Sequence, residues 1–333
     1  MALPIRENRD RLLSPSNSES LLVTVASNVA NPVAGLFGLD SLTWRINRES
    51  ALFLGAGRAA LLQLAHPWVT AALMEHSNLL AKPIARFHNT FRIVFTMVFG
   101  SLDQAQAAAR HLYALHTRIR GELKEDTAGW KRGAHYEANE IGALRWVFAT
   151  LVESAVMAYE AAIQPLTAVE REQYYAESRT LAALFGLPAA ALPENWNAFL
   201  DFTRQMHDSN MLGVSSEARN HGARLLSGAG SWLRPPHWYR ALTAAWLPPR
   251  FRDEFALNFG PAEQRAAERA TLRLPGLYRR LPGAIRFVGP WQEARARLAH
   301  RTPGWRARLS NRFWIGAPVL PFGAAASNPP RAR

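Results

Sequence analysis

The segment ARHLYALHTRIRG (109–121) carries a histidine among the positions that a helix would bury. His116 falls between Leu112, Leu115 and Ile119 on the apolar side of a 3.6-residue pattern. A neutral imidazole placed there is either a satisfied core histidine or a ligand to a buried metal or cofactor, and periodicity leaves both open. One segment upstream, in ARFHNTFR (85–92), Arg86 and Thr90 are four apart and share a helix face, with Asn89 and Arg92 close by. An arginine and a hydroxyl beside an apolar run either line a polar spot in a buried pocket or simply satisfy each other's surroundings. The same helix repeats phenylalanine at Phe87, Phe91, Phe95 and Phe99. That spacing suits plain core packing, and it also suits the wall of a channel for an apolar ligand.

Other chemistries are absent from the sequence. With no cysteine there are no disulfides, thiolate metal sites, iron–sulfur clusters or cysteine nucleophiles. Any metal must be held by His, Asp, Glu or a macrocycle. No HExxH, no paired E-x-x-H and no G-x-S-x-G elbow occurs. MEHSN (74–78) and RQMHDSN (204–210) set His beside an acid, but neighbours on a helix point about 100° apart and do not share a metal as a pair. GAGRAA (55–60) lacks the third glycine of a dinucleotide loop and the Gly-Lys-Ser/Thr of a P-loop; close helix packing is the better use of its small residues.

The elements that must position these residues read as helices. Ser101 with Asp103 behind it, and Thr167 with Glu170, are helix starts. Gly100, Gly121 and Gly186 stand where helices would stop, and Pro83 where one would begin. Pro67 kinks or restarts the apolar run around LLQLAHPWVTAALM. Period-two runs of Val, Ile and Thr are nearly missing. The expected fold class is all-α, one large domain of ten or more helices. Residues 1–39 read as an N-terminal arm and a lead-in helix from about Ser20, 40–220 as the helical core, and 221–333 as a Pro/Gly/Arg-rich helical region packing on it.

The net charge of +13 is uneven. From His221 onward there are 19 Arg and 5 acidic residues, net +14, which leaves −1 for residues 1–220. Aromatics interleave these arginines in WLRPPHWYR, WLPPRFRDEF and RFWIG. The mixture suits peripheral contact with an anionic membrane; it also suits single-stranded nucleic acid, which nothing else in the chain supports. An arginine-only excess is also what a biased coding composition produces. The polar start MALPIRENRDRLLSPSNSES has no apolar signal core, and no uninterrupted apolar run reaches about 18–20 residues, so a cytoplasmic protein is expected, with any membrane contact at the inner face.

LLQLAHP (61–67), ARFHNTFRIVFTMVFG (85–100), LYALHTRIRG (112–121) and ALRWVFATLVESAVMAYEAAIQPLTAVEREQYYAES (143–178), in this order, resemble the MpaB-type oxygenase and latex-clearing-protein (rubber oxygenase) catalytic-domain family. The resemblance covers roughly residues 40–215. It implies an all-helical, globin-like core with haem b held between helices, O2 as co-substrate, and oxidation or cleavage of an unsaturated, lipid-like substrate, isoprenoid in the characterised relatives. By motif order it makes His116 the proximal ligand of the haem iron. It sets Arg86 and Thr90 on the distal side, with Asn89 where relatives have a lysine, and makes Arg92 and Arg120 candidates for cofactor contact. Asn89 cannot ligate iron as an amine would, and Phe148 stands where many relatives have a histidine. Without an export signal, polymeric rubber is not the expected substrate. Two other readings use the same residues: a non-catalytic haem- or lipid-binding protein, and a cofactor-free helical protein that binds a membrane or nucleic acid through its basic third.

Overall fold

Capping residues and apolar periodicity divide the chain into sixteen α-helices and one two-stranded ribbon among the described residues (12–76, 83–229 and 234–323) of a computed structural model. The all-α expectation holds. Helix α1 (Pro15–Ser27) begins five residues before the expected Ser20, because the Ser14 hydroxyl accepts from the Asn17 amide and Pro15 fills the first turn. Residues 1–11 of the expected arm lie outside the described residues.

Helix α2 (Leu42–Asn47) and a 3₁₀ turn (Ser50–Gly55) lead into α3 (Ala56–Leu64), and Pro67 opens a new helix, α4 (Pro67–His76). Helices α5 (Pro83–Phe99) and α6 (Leu102–His116) pack on each other across a two-residue reversal. Ser101 and Gln104 close α6 with a reciprocal capping box. Gly100 sits at the reversal without a left-handed backbone. Its role is crowding: a Cβ there would lie 2.4 Å from the Thr96 carbonyl oxygen.

The expected helix through Gly121 stops five residues early, at His116. The amides of Arg118 and Ile119 turn back onto the carbonyls of Leu115 and His116. The chain then enters the ribbon of β1 (Arg120–Glu122) and β2 (His135–Glu137), with Gly121 opposite Tyr136. Gly121 is therefore not a helix stop: it sits in the ribbon close to the tips of two side chains, where an added Cβ would meet Glu75 Oε2 at 2.5 Å and the Tyr136 hydroxyl at 2.7 Å and would make those tips shift.

Helix α7 (Ile141–Ala162) is the centre of the molecule, in contact with the 3₁₀ turn, α3 and α8 (Ala168–Ala182). By length and composition it is the one described helix that could cross a membrane, but most of it is buried inside the protein. The GAGRAA glycines let α3 and the 3₁₀ turn reach their neighbours: a Cβ on Gly55 would fall 2.5 Å from the Ser154 carbonyl, and one on Gly57 2.8 Å from Thr243 Oγ1. Behind them the buried Arg58 pairs with Glu153 at 2.7 Å and donates to Ser154 Oγ and the Trp246 carbonyl. Gly186 does end its helical segment in the left-handed conformation (φ 84°).

The remaining helices are α9 (Trp196–Asp208), α10 (Ser216–Ser227), α11 (His237–Trp246), α12 (Pro249–Glu254), α13 (Pro261–Arg279), α14 (Gly283–Arg286), α15 (Gly289–Leu298) and α16 (Trp305–Ile315). The main core joins Trp44, Phe95, Phe99, Phe148, Tyr175 and Phe199 to Trp291 and Ile315. Each such side chain contributes roughly 1.5–3 kcal/mol by leaving water. The basic third therefore completes the core. Buried Glu293 accepts from the Leu320 amide and from Asn311, and Arg297 donates to the carbonyls of Phe99 (2.6 Å) and Val33 (2.8 Å).

Candidate functional site

A two-residue turn joins α5 to α6, and the two helices pack on each other. His116 is the last residue of α6, on the face that also carries Ala105, Ala109 and Leu112. It is half-buried, and its desolvated ring titrates far below an ordinary histidine, at about 4. A helix C-terminus favours a protonated histidine, so here desolvation outweighs the dipole. Asn139, buried just ahead of α7, partly offsets the burial as a hydrogen-bond partner of the ring. The imidazole is thus neutral at physiological pH, the state in which it ligates a metal.

Arg86 and Thr90 lie on one face of α5, followed by Ile93 and Met97. Arg86 is half-buried and desolvated enough to lower its pKa, and it makes no ion pair among the described residues. Thr90 and Asn89 are exposed. The structure therefore carries Arg86, Asn89 and Thr90 on the first turns of α5 and His116 at the end of α6, the helix that packs on α5.

The other expected residues go elsewhere. Arg92 donates its Nε–H to the Ile315 carbonyl (3.0 Å), on the side of α5 that meets α16. Arg120 is exposed on β1, and its carbonyl lies 3.0 Å from His76 Nε2. The phenylalanine ladder resolves to core packing: Phe87, Phe91 and Phe95 gather around Phe53, which stacks on Trp314 with ring centroids 4.0 Å apart. Phe148 is buried against Phe185.

Two further residues carry no expected role from the sequence. Asn139 is one. The other is His66, in the LAHP segment, 2% exposed between Trp68 and Trp130. Its Nδ1 has no hydrogen-bond partner among the described residues, and burial lowers its pKa to about 4. Its only sequence signal is a histidine directly before a helix-starting proline.

Residues 43–287 match the family described as ER-bound oxygenase mpaB/B'/rubber oxygenase, catalytic domain. The match runs past residue 215, where the resemblance in sequence motifs ends, and takes in the basic region through α14. No curated protein and no solved structure matches the chain. With the family match covering most of its length and an all-helical core, the chain belongs to the mpaB/rubber oxygenase catalytic-domain family.

Proposed function

We propose that the protein is a haem b-dependent oxygenase that uses O2 to oxidise an unsaturated, isoprenoid-like lipid. The observation that carries this reading is His116: a neutral, half-buried imidazole at the end of a helix whose neighbour carries a desolvated arginine, in a chain of an oxygenase family. The donor set fits a haem. Among the described residues no group of three or more His, Asp or Glu could hold a bare metal ion. A single imidazole suits a metal that brings its own equatorial ligands.

His116 would hold the iron from the proximal side, with Asn139 fixing the ring orientation. When bound, haem b supplies the iron at which O2 is activated. Arg86 offers charge-assisted hydrogen bonds to negative charge that develops on oxygen or to a carboxylate of the cofactor. The Thr90 hydroxyl can accept and return a proton beside it. The apolar face of α6 excludes water from the reacting side. Adding both oxygen atoms across a carbon–carbon double bond yields two carbonyls, a balance that needs no further reductant. Arg92 and Arg120 enter this reading only as outer contacts of the cofactor.

The test is direct. Protein loaded with haem should show a Soret band and the pyridine hemochromogen spectrum of haem b, and should consume O2 with an unsaturated isoprenoid. His116→Ala should lose most bound haem. Unchanged haem content in that variant would refute the assignment, and haem binding without O2 uptake would favour a carrier.

A further inference from the structure

Helix α16 presents two opposite faces. Ala307, Asn311 and Ile315 are buried against the body of the protein. On the other side Trp305, Leu309 and Phe313, four apart, leave 71%, 59% and 51% of their surfaces in solvent. Three large apolar side chains in one stripe are not scattered surface residues. Arg306 lies to one side of the stripe, and Arg308 and Arg312 to the other; all three are exposed. None of the three makes an ion pair among the described residues. From Ala294 to Gly323 the chain has six arginines and no acidic residue.

We propose that α16 is a docking helix that seats the protein on an anionic phospholipid bilayer. The stripe would enter the headgroup–acyl boundary, with Trp305 at the level where indole rings settle and the flanking arginines on lipid phosphates. Charge complementarity selects this occupant. A second copy docking through the same face would set arginine against arginine. A single nucleic-acid strand needs a run of stacking rings, and Leu309 interrupts one. The face also lies where a lipid substrate would arrive. The Phe313 carbonyl is 2.9 Å from His88 Nε2, and the Ile315 carbonyl is 3.0 Å from Arg92 Nε. Both partners sit on α5, the helix that carries Arg86, Asn89 and Thr90. This deepens the proposed function by naming how an insoluble substrate reaches the hairpin, although the docking itself rests on α16 alone and needs no haem.

The experiment is flotation of the full chain with vesicles of phosphatidylcholine, alone or with about one third phosphatidylglycerol, run at low and high salt. Wild type should float with the anionic vesicles at low salt and much less with the neutral ones. Replacing Trp305, Leu309 and Phe313 together by Ser should cut binding roughly tenfold or more. Replacing Arg306, Arg308 and Arg312 together by Gln should abolish the preference for anionic lipid. If the triple Ser variant melts early, Phe313→Ser alone serves. Wild type that stays unbound at low salt, or apolar variants that float as well as wild type, would overturn the proposal. So would an α16-dependent self-association, or oligothymidylate binding, without vesicle binding. The Soret band of each haem-loaded variant, expected unchanged, separates failure of docking from failure of the haem reading.

Discussion

The His88 ring on α5 donates its Nε2–H to the carbonyl oxygen of Phe313 on α16 at 2.9 Å, and its other edge faces Gly316, held in the left-handed conformation that ends α16. One side chain thus joins the helix that carries Arg86 and Thr90 to the helix with the exposed apolar stripe. His88→Ala removes that bond, at a cost of about 0.5–1.5 kcal/mol. Hydrogen exchange should speed up across residues 305–315 while α7 stays protected. Uniform loss of protection would show that the contact holds the global fold and not this local junction.

Among the described residues Arg86 is a cation without a carboxylate partner. A desolvated guanidinium of that kind is costly to keep unless something negative arrives beside it. Arg86→Ala should lower O2-dependent turnover by roughly 10²-fold or more, leaving most of the haem in place. Arg86→Lys keeps the charge but not the planar fork, so it should recover part of that loss. If both variants lose haem in parallel with turnover, Arg86 serves cofactor retention alone.

Asn139 should matter through the ring it meets. Asn139→Ala leaves His116 free to rotate, and outer partners of metal-binding histidines typically govern affinity by about 10–100-fold. The expected result is weaker haem binding by that order in a titration, with the haem-free protein still folded and losing no more than the roughly 0.5–1.5 kcal/mol of one hydrogen bond. Equal haem affinity would remove Asn139 from the site.

The helix starts were legible in the sequence because caps are local: Ser101 with Gln104 and Thr167 with Glu170 act within four residues of themselves. The end of α6 was not. LHTRIRG continues the apolar period through Ile119, and only pairing of residues 120–122 with 135–137, across a loop, stops the helix at His116. The same is true of the surroundings of His116 and His66. Asn139 and Trp130 come from that loop and from the residues before α7, so no spacing near either histidine announces them. The phenylalanine ladder was ambiguous for a similar reason. What it packs against, Phe53 and Trp314, is supplied from both ends of the chain.

Two desolvated histidines set an acid limit. His66 and His116 both titrate near 4 in the folded protein, below the ordinary value of 6.5. The unfolded chain therefore binds more protons between about pH 4 and 6.5, and stability falls as pH drops through that window. For His66, almost wholly buried, the loss is on the order of 3 kcal/mol once pH falls below both values. Melting temperature of the haem-free protein should be flat above about pH 7 and decline steeply toward pH 4. His66→Gln should flatten the decline, whatever it does to stability at neutral pH. A variant with an undiminished slope would place the acid sensitivity elsewhere.

If the protein binds haem as proposed, Asn89 is expected to govern what can face the iron. It is exposed on α5 one turn from Arg86, in the position where the family resemblance implies a lysine. An amide is a poor iron ligand, so haem-loaded wild type should have water or nothing as its sixth ligand and bind imidazole or cyanide readily. Asn89→Lys adds an amine on a long flexible stem. Because Asn89 is solvent-exposed, the new ammonium has no burial to lower its pKa, and it can ligate only where it loses its proton. The spectrum of the variant should therefore shift to a six-coordinate form as pH rises toward 9–10, roughly the lower edge of lysine titration, while wild type changes little. Slower imidazole binding in the variant at high pH would follow from the same competition. A spectrum that ignores pH in both proteins would mean that the side chain at position 89 does not reach the iron, and that the distal side is built from other residues of α5.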